Sequence, residues 1–214
     1  MQSKTEMQQG WEFATAIMGA DVAAHMGQDY VSAVEAAIKE LEEHINNHQY
    51  RNIEIGQLQG YMFEEWVAGT FNVDAVAAGS KDRAEVLHST SKDSVDIKLE
   101  SGGVYSAKSY ATAEKTARAQ ARVNPESGQA SYHEQGRLVP SDQLPDAKAT
   151  ARREALKNKD TRPEISDAYA ETESKMTDTI KNKEGVSSKE GSRKKMRILP
   201  AIARSRSLRQ RITA

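Results

Sequence analysis

Alternating apolar and polar residues on both sides of a glycine-containing turn predict a β-hairpin near the middle of the chain. In residues 94–99 every second side chain is apolar, and residues 104–110 repeat the alternation, a period of two that is typical of strands. The Ser-Gly-Gly run at residues 101–103 can supply the positive φ angles of a tight turn. Folding about these glycines brings Asp96 roughly opposite residues 106–108.

The hairpin carries an acid on its first strand and a lysine on its second. Ser106 and Lys108 share one face of the second strand, because side chains alternate between the faces. A carboxylate and an ammonium on neighbouring strands can serve a metal-dependent phosphodiesterase. The carboxylate would hold the cation, and the lysine would stabilise charge or position water. The alternative is a cross-strand ion pair with no chemical role.

Apolar residues recur at helical spacing before the hairpin, between residues 55 and 71. Gly69 indicates the end of this helix, and residues 71–79 can continue helically as far as a turn at Gly79. Glu64 lies beside aromatic residues of the apolar stripe, where a carboxylate is unusual unless it has a partner. The helix therefore contributes a second candidate acid.

The order helical acid, strand aspartate, strand lysine, helix resembles the PD-(D/E)xK nucleases, the restriction-endonuclease-like superfamily. The resemblance covers residues 50–125. It implies that Glu64 is the helical acid, Asp96 the metal-binding aspartate and Lys108 the catalytic lysine. Glu65 is the alternative to Glu64, since the helix register is uncertain by one residue. By the same resemblance, Glu64 and Asp96 would hold Mg²⁺ or Mn²⁺.

The chain departs from that family at the second acid, two residues before the lysine, where it has Ser106. A serine hydroxyl is a weak, neutral ligand. Metal affinity is therefore expected to fall unless Glu65, a backbone carbonyl or substrate phosphate adds a donor. Glu65 and Ser106 are accordingly additional candidate site residues.

The remaining pattern predicts helices on both sides of this core. Helices are expected at residues 8–26, 29–45, 111–122, 143–157 and 162–181, and a short strand at 84–88. Residues 132–137 form a polar and aromatic loop, interpreted as an ordinary connector rather than a nucleotide contact. His44 and His48 have the i, i+4 spacing of metal ligands, but no third ligand accompanies them and the pair is interpreted as ordinary helix-end histidines.

We divide the chain into four parts: N-terminal helices (1–48), a nuclease-like α/β core (49–125), a helical extension (126–188) and a basic tail with apolar residues (189–214). The predicted fold class is α+β, a small mixed sheet around the hairpin flanked by helices, with a helical C-terminal third. The resemblance implies a restriction-endonuclease-like core within it.

Composition excludes several classes of site. The chain has no cysteine, which excludes disulfides, thiolate catalysis and Cys-based zinc sites. With 37% hydrophobic residues and a mean hydropathy of −0.73, no stretch approaches the ~20 apolar residues of a membrane span. The N-terminus lacks the order of a signal peptide. We expect no membrane contact and a cytoplasmic location.

The near-neutral total of 30 basic and 31 acidic residues hides a basic tail. From residue 189 onward lysine and arginine dominate, which favours contacts with phosphates. Apolar residues in the same segment favour packing on the body, on a partner protein or on a second copy of the chain. An apolar segment at the chain end is also expected of a fragment of a longer protein.

These patterns predict a metal-dependent endonuclease acting on nucleic acid, with DNA as the expected substrate. It could be the nuclease subunit of a DNA-processing or defence assembly. One alternative is a catalytically inactive nuclease-like module that binds nucleic acid or a partner protein. Another is a helical adaptor whose basic tail docks a protein.

Overall fold

A computed structural model describes residues 20–46, 53–89, 91 and 93–196, with side chains described from residue 27. Its helices are α1 (Ala20–Asn46), α2 (Ile55–Ala77), α3 (Ala113–Gln120), α4 (Leu144–Asn158) and α5 (Pro163–Lys175). Its strands are β1 (Ala84–Val86), β2 (Ile97–Leu99), β3 (Val104–Ala107), β4 (Gly136–Leu138) and β5 (Met176–Thr177). A short helical turn follows at residues 193–196.

The five strands form one mixed sheet in the order β1-β2-β3-β4-β5. The first three pair antiparallel, and β4 and β5 continue the sheet in parallel with β3. In the β2–β3 hairpin Ile97 lies opposite Tyr105, and Gly102 takes a φ of 98° in the turn. The predictions of an α+β fold, a mixed sheet and a central hairpin are confirmed.

Helices cover both faces of the sheet, because each face carries its own apolar cluster. On one face the buried side chains of α2, including Phe63 and Phe71, pack with Ile97 and Leu138 of the strands. On the other, α3, α4 and α5 enclose a second cluster around Val139. The sheet is therefore the middle layer of the fold.

The predicted helix end at Gly69 is wrong. Helix α2 continues to Ala77, and the chain turns at Gly79 with a φ of 69°. A Cβ on Gly69 would overlap the side chain of Leu41 in α1. The glycine thus allows close approach of two helices, a role that a single sequence does not separate from helix termination.

Residues 20–46 form one helix, where two helices with a break between residues 26 and 29 were predicted. The C-terminal third, predicted to be helical, also supplies β4 and β5. Both strands are very short. β4 has the charged Arg137 at its centre, and β5 follows directly on α5 where the helical pattern was extended to residue 181. The strands on either side of residue 125 belong to one sheet.

The first residues of the basic tail lie against α2. Trp66 donates a hydrogen bond from Nε1 to the carbonyl of Glu190 at 3.1 Å, and Met196 is fully buried in the α2 cluster. The ammonium of Lys195 lies 3.6 Å from the centre of the Trp66 ring. Residues 197–214, which hold most of the predicted tail arginines, lie outside the described residues. In the part that is described, no helix is long and apolar enough to cross a membrane.

Candidate active site

The Asp96 carboxylate lies where strands β2 and β3 stop pairing. Asp96 directly precedes β2, and its Oδ2 accepts hydrogen bonds from the amide of Ala107 at 2.7 Å and from Nζ of Lys108 at 2.8 Å. The last amide of β3 therefore donates its hydrogen bond to a side-chain carboxylate and not to a main-chain carbonyl. Among the described residues, none donates a hydrogen bond to Oδ1 of this buried acid.

Lys108 follows β3 and extends between an acid and an aromatic ring. Its Nζ lies 5.0 Å from the centre of the Tyr132 ring, within range of a cation–π contact. Burial alone lowers the pKa of Lys108, but the Asp96 carboxylate, Tyr132 and Glu64 outweigh burial and raise the pKa above its ordinary value. With 20% of its side chain exposed, Lys108 is a fixed ammonium ion at neutral pH that still reaches the surface.

Glu64 joins this group from α2. Burial raises its pKa from 4.5 to about 8, and the Asp96 carboxylate adds to the rise while Lys108 partly offsets it. Those mutual effects require the three charged groups to lie close together. We call Glu64, Asp96 and Lys108 the Glu64 cluster.

Glu65, the alternative helical acid, has other partners. Its Oε2 lies 3.0 Å from Nδ1 of His44 in α1, and its Oε1 lies 3.2 Å from Nε2 of His88 after β1. Glu65 is only 4% exposed. We call Glu65, His44 and His88 the Glu65 cluster, which borders a cavity of about 190 Å³ between α1, α2 and β1.

Neither cluster is a complete protein-only metal cage. Across the described ranges, no group of three or more histidine, aspartate and glutamate side chains is arranged to hold a metal ion. His48, the predicted partner of His44, lies outside those ranges. His44 contacts Glu65 instead, so its ring supports a buried acid.

Ser106, which stands at the family's second acid position, is fully buried. Its hydroxyl donates to Oε1 of Gln120 in α3 at 2.7 Å. The Gln120 amide in turn donates to the carbonyls of Ser106 and Leu138, at 3.1 and 3.0 Å. The hydroxyl thus helps to tie β3, β4 and α3 together.

Tyr132 and Gln120 were not predicted as part of the site. Tyr132 belongs to the segment interpreted as a connector, and its aromatic character next to polar residues was the signal for a functional contact. Gln120 lies within the predicted helix 111–122, where a glutamine among charged residues gave no such signal. Their roles depend on β4, which brings residues 132–138 beside β3.

Comparisons with protein-family models, with curated protein sequences and with solved structures give no match in any of the three. The chemistry of the site therefore has to be read from its own residues. The site offers a buried carboxylate, a second carboxyl group with a high pKa and a fixed ammonium ion, which are the kinds of group that contact cations and phosphates.

Proposed function

We propose that the protein is a metal-dependent nuclease that hydrolyses phosphodiester bonds of nucleic acid, with DNA as the expected substrate. Glu64, Asp96 and Lys108 are its proposed catalytic residues. The observation that carries the proposal is their electrostatic coupling in one cluster. Their order, with the acid on α2, the aspartate before β2, the lysine after β3 and α3 packed on the sheet, supports the restriction-endonuclease-like resemblance.

The donors of the Glu64 cluster fit Mg²⁺ or Mn²⁺. Mg²⁺ characteristically takes one or two carboxylates from the protein and completes its octahedron with water and substrate phosphates. Glu64 and Asp96 would be those carboxylates. Burial is the main cause of the high pKa of Glu64, and the neighbouring Asp96 carboxylate adds to it. A divalent cation would stabilise the ionised form of Glu64. When bound, the cation would polarise the phosphate and lower the pKa of a water ligand.

The protein groups have separate tasks in this proposal. Lys108 remains protonated, so it stabilises negative charge that develops on the phosphate and does not act as a base. The Tyr132 ring and Oδ2 of Asp96 hold the ammonium in place. Oδ1 of Asp96 and the carboxyl of Glu64 would hold the cation, which would favour the ionised form of Glu64.

One observation favours the alternative of an inactive nuclease-like module that binds nucleic acid or a partner protein. The hydroxyl of Ser106 is fully buried and donates to Gln120, so the position of the family's second acid supplies no anionic ligand. The cytoplasmic location and a role in a DNA-processing or defence assembly stay predictions. The adaptor alternative has less support, because residues 189–196 pack on the body of the same chain.

Plasmid cleavage in Mg²⁺ or Mn²⁺ tests the proposal. Asp96→Asn should reduce cleavage about 100-fold or more, the scale of losing one charge-stabilising group. Asparagine keeps an acceptor for the Ala107 amide, so the fold should survive and DNA binding in EDTA should change little. Asp146→Asn, at an exposed position in the first turn of α4, is the matched control. Equal cleavage by wild type and Asp96→Asn would refute the mechanism, and salt-sensitive binding without cleavage by the wild type would favour the inactive module.

A further inference from the structure

Tyr110 is an exposed aromatic residue two positions beyond Lys108. Its exposure is 49%, and its hydroxyl makes no hydrogen bond within the described part of the chain. A single exposed apolar side chain is common on protein surfaces. What distinguishes Tyr110 is the way its main chain is fixed.

Three side chains from separate parts of the fold hold the main chain of Tyr110. Its amide donates to Oγ1 of Thr116 in α3 at 3.0 Å. Its carbonyl accepts from Nε2 of Gln143 at 2.9 Å and from Nη1 of Arg193 at 2.7 Å.

These anchors are themselves part of a buried network. Thr116 is fully buried, and its hydroxyl donates to Oε1 of Gln143 at 2.7 Å. The Arg193 guanidinium also reaches the carbonyl of Ser109 at 2.8 Å. The fold thus fixes the backbone of a residue whose ring faces solvent, which lowers the entropy cost of binding through that ring.

Cationic residues lie close to the anchored main chain of Tyr110. Lys108 lies two residues before Tyr110 in the chain and is paired with Asp96, Arg193 binds the carbonyl of Tyr110, and Lys194 is exposed beside Arg193. Asp142 and Glu54 line the same cavity as Arg193 and Lys194, and Asp142 accepts hydrogen bonds from the main-chain amides of Arg193 and Lys194 at 2.8 and 3.4 Å. Asp142 therefore engages the main chain of this segment, while the side chains of Arg193 and Lys194 supply its positive charge.

We propose that Tyr110 is a base-stacking residue, and that the nucleic acid is single-stranded or locally unpaired where it passes the site. An aromatic platform next to backbone-neutralising cations is the arrangement that binds single strands without reading their sequence. In a duplex the faces of the bases are covered by their neighbours, so the ring would have nothing to stack on. The inference rests on the proposed function, because it places the strand next to Lys108.

Oligonucleotide binding in EDTA, measured by fluorescence anisotropy, tests this inference without cleavage. The probes are a short labelled single strand and the blunt duplex of the same sequence. Tyr110→Ala should weaken single-strand binding about fivefold or more and change duplex binding less than about twofold. Tyr110→Phe should keep wild-type affinity because the ring remains. Leu156→Ala, at a residue 70% exposed on α4, is the control and should change neither.

Unchanged single-strand affinity in Tyr110→Ala would overturn the inference, as would equal losses on both probes or a wild type that binds neither. A Tyr110-dependent protein ligand without any nucleic-acid binding would also overturn it. Single-strand binding that depends on Tyr110, in a protein that never cleaves, would support the stacking role and refute the nuclease function. Asp96-dependent cleavage with no effect of Tyr110→Ala would support the nuclease function and refute the stacking role. Melting temperatures of the variants verify that all of them are folded.

Discussion

Glu64 and Glu65 are consecutive residues of α2, but they enter two different polar clusters. Glu65 is almost completely buried, and each of its carboxylate oxygens lies within 3.2 Å of an imidazole nitrogen. Glu64 is less buried, yet it shares a single ammonium with a second acid. Since consecutive helical residues point about 100° apart, the two side chains of one helix turn reach two different environments.

The difference shows that neighbouring charges act together with burial to decide what a carboxyl group is available to do. In the Glu65 cluster two imidazole rings contact one carboxylate, which suits a structural contact between α1, α2 and the segment after β1. In the Glu64 cluster burial is the main cause of the raised pKa of Glu64, and the Asp96 carboxylate adds to the rise while Lys108 partly offsets it. A strongly shifted pKa of this kind is typical of functional sites.

The largest expected effect is a crossed result between Glu64→Gln and Glu65→Gln. If the Glu64 cluster binds the catalytic cation, Glu64→Gln should lower plasmid cleavage about 100-fold or more and leave the protein stably folded. Glu65→Gln should keep cleavage within a few-fold and lower the free energy of unfolding by about 1–3 kcal/mol, because a charged hydrogen-bond partner is lost. Nicking assays and urea denaturation measure the two quantities. The reverse pattern, with cleavage lost only in Glu65→Gln, would assign the chemistry to the Glu65 cluster.

A second expected effect is that the free energy of unfolding of the protein depends on pH because of Glu64. Its pKa is about 8 in the folded protein and 4.5 ordinarily, so the folded state holds a proton that the unfolded state has released. Stability should therefore fall as pH rises from 4.5 to about 8, by up to about 1.4 kcal/mol for each pH unit, and level off outside that interval. Urea denaturation in EDTA, at pH values from 4 to 9, measures the slope.

Glu64→Gln supplies the control for that slope, since glutamine does not titrate. The difference in stability between the variant and the wild type should be small near pH 4 and should grow in favour of the variant up to pH 8. Parallel curves for the two proteins would show that Glu64 ionises normally. The environment of Glu64 would then not disfavour its ionised form.

The parts of both clusters that sequence could predict are the local ones. The period-two pattern and the glycines predicted the hairpin, and with it the approach of Asp96 to Lys108, because the two strands are joined by a short turn. The helical acid was left open between Glu64 and Glu65. A one-residue uncertainty in register rotates a helix by about 100°, enough to exchange the two clusters.

The parts that sequence did not predict depend on distant contacts. β4 and β5 are too short to show periodicity, and they form because β3 offers β4 a pairing edge and β4 offers one to β5. Tyr132 reaches the site through the segment that leads into β4, and Gln120 through its hydrogen bonds to Ser106 and Leu138. Gly69 was interpreted as a helix end because the approach of Leu41 from α1 is not visible in its neighbours along the chain.

The smallest expected effect concerns Ser106, which lies in β3 two residues before Lys108 but has the environment of a structural group. Ser106→Ala would leave Oε1 of Gln120 buried without its donor, so the free energy of unfolding should fall by about 1–3 kcal/mol. Cleavage by the folded variant should change less than about threefold, because the buried hydroxyl is bonded to Gln120. Ser106→Thr keeps the donor and serves as the matched control for hydrogen bonding, although its extra methyl group must fit a packed site. A large loss of cleavage in Ser106→Ala with unchanged stability, and recovery of cleavage in Ser106→Thr, would identify the hydroxyl as a ligand. Ser106 would then have a chemical role and not a structural one.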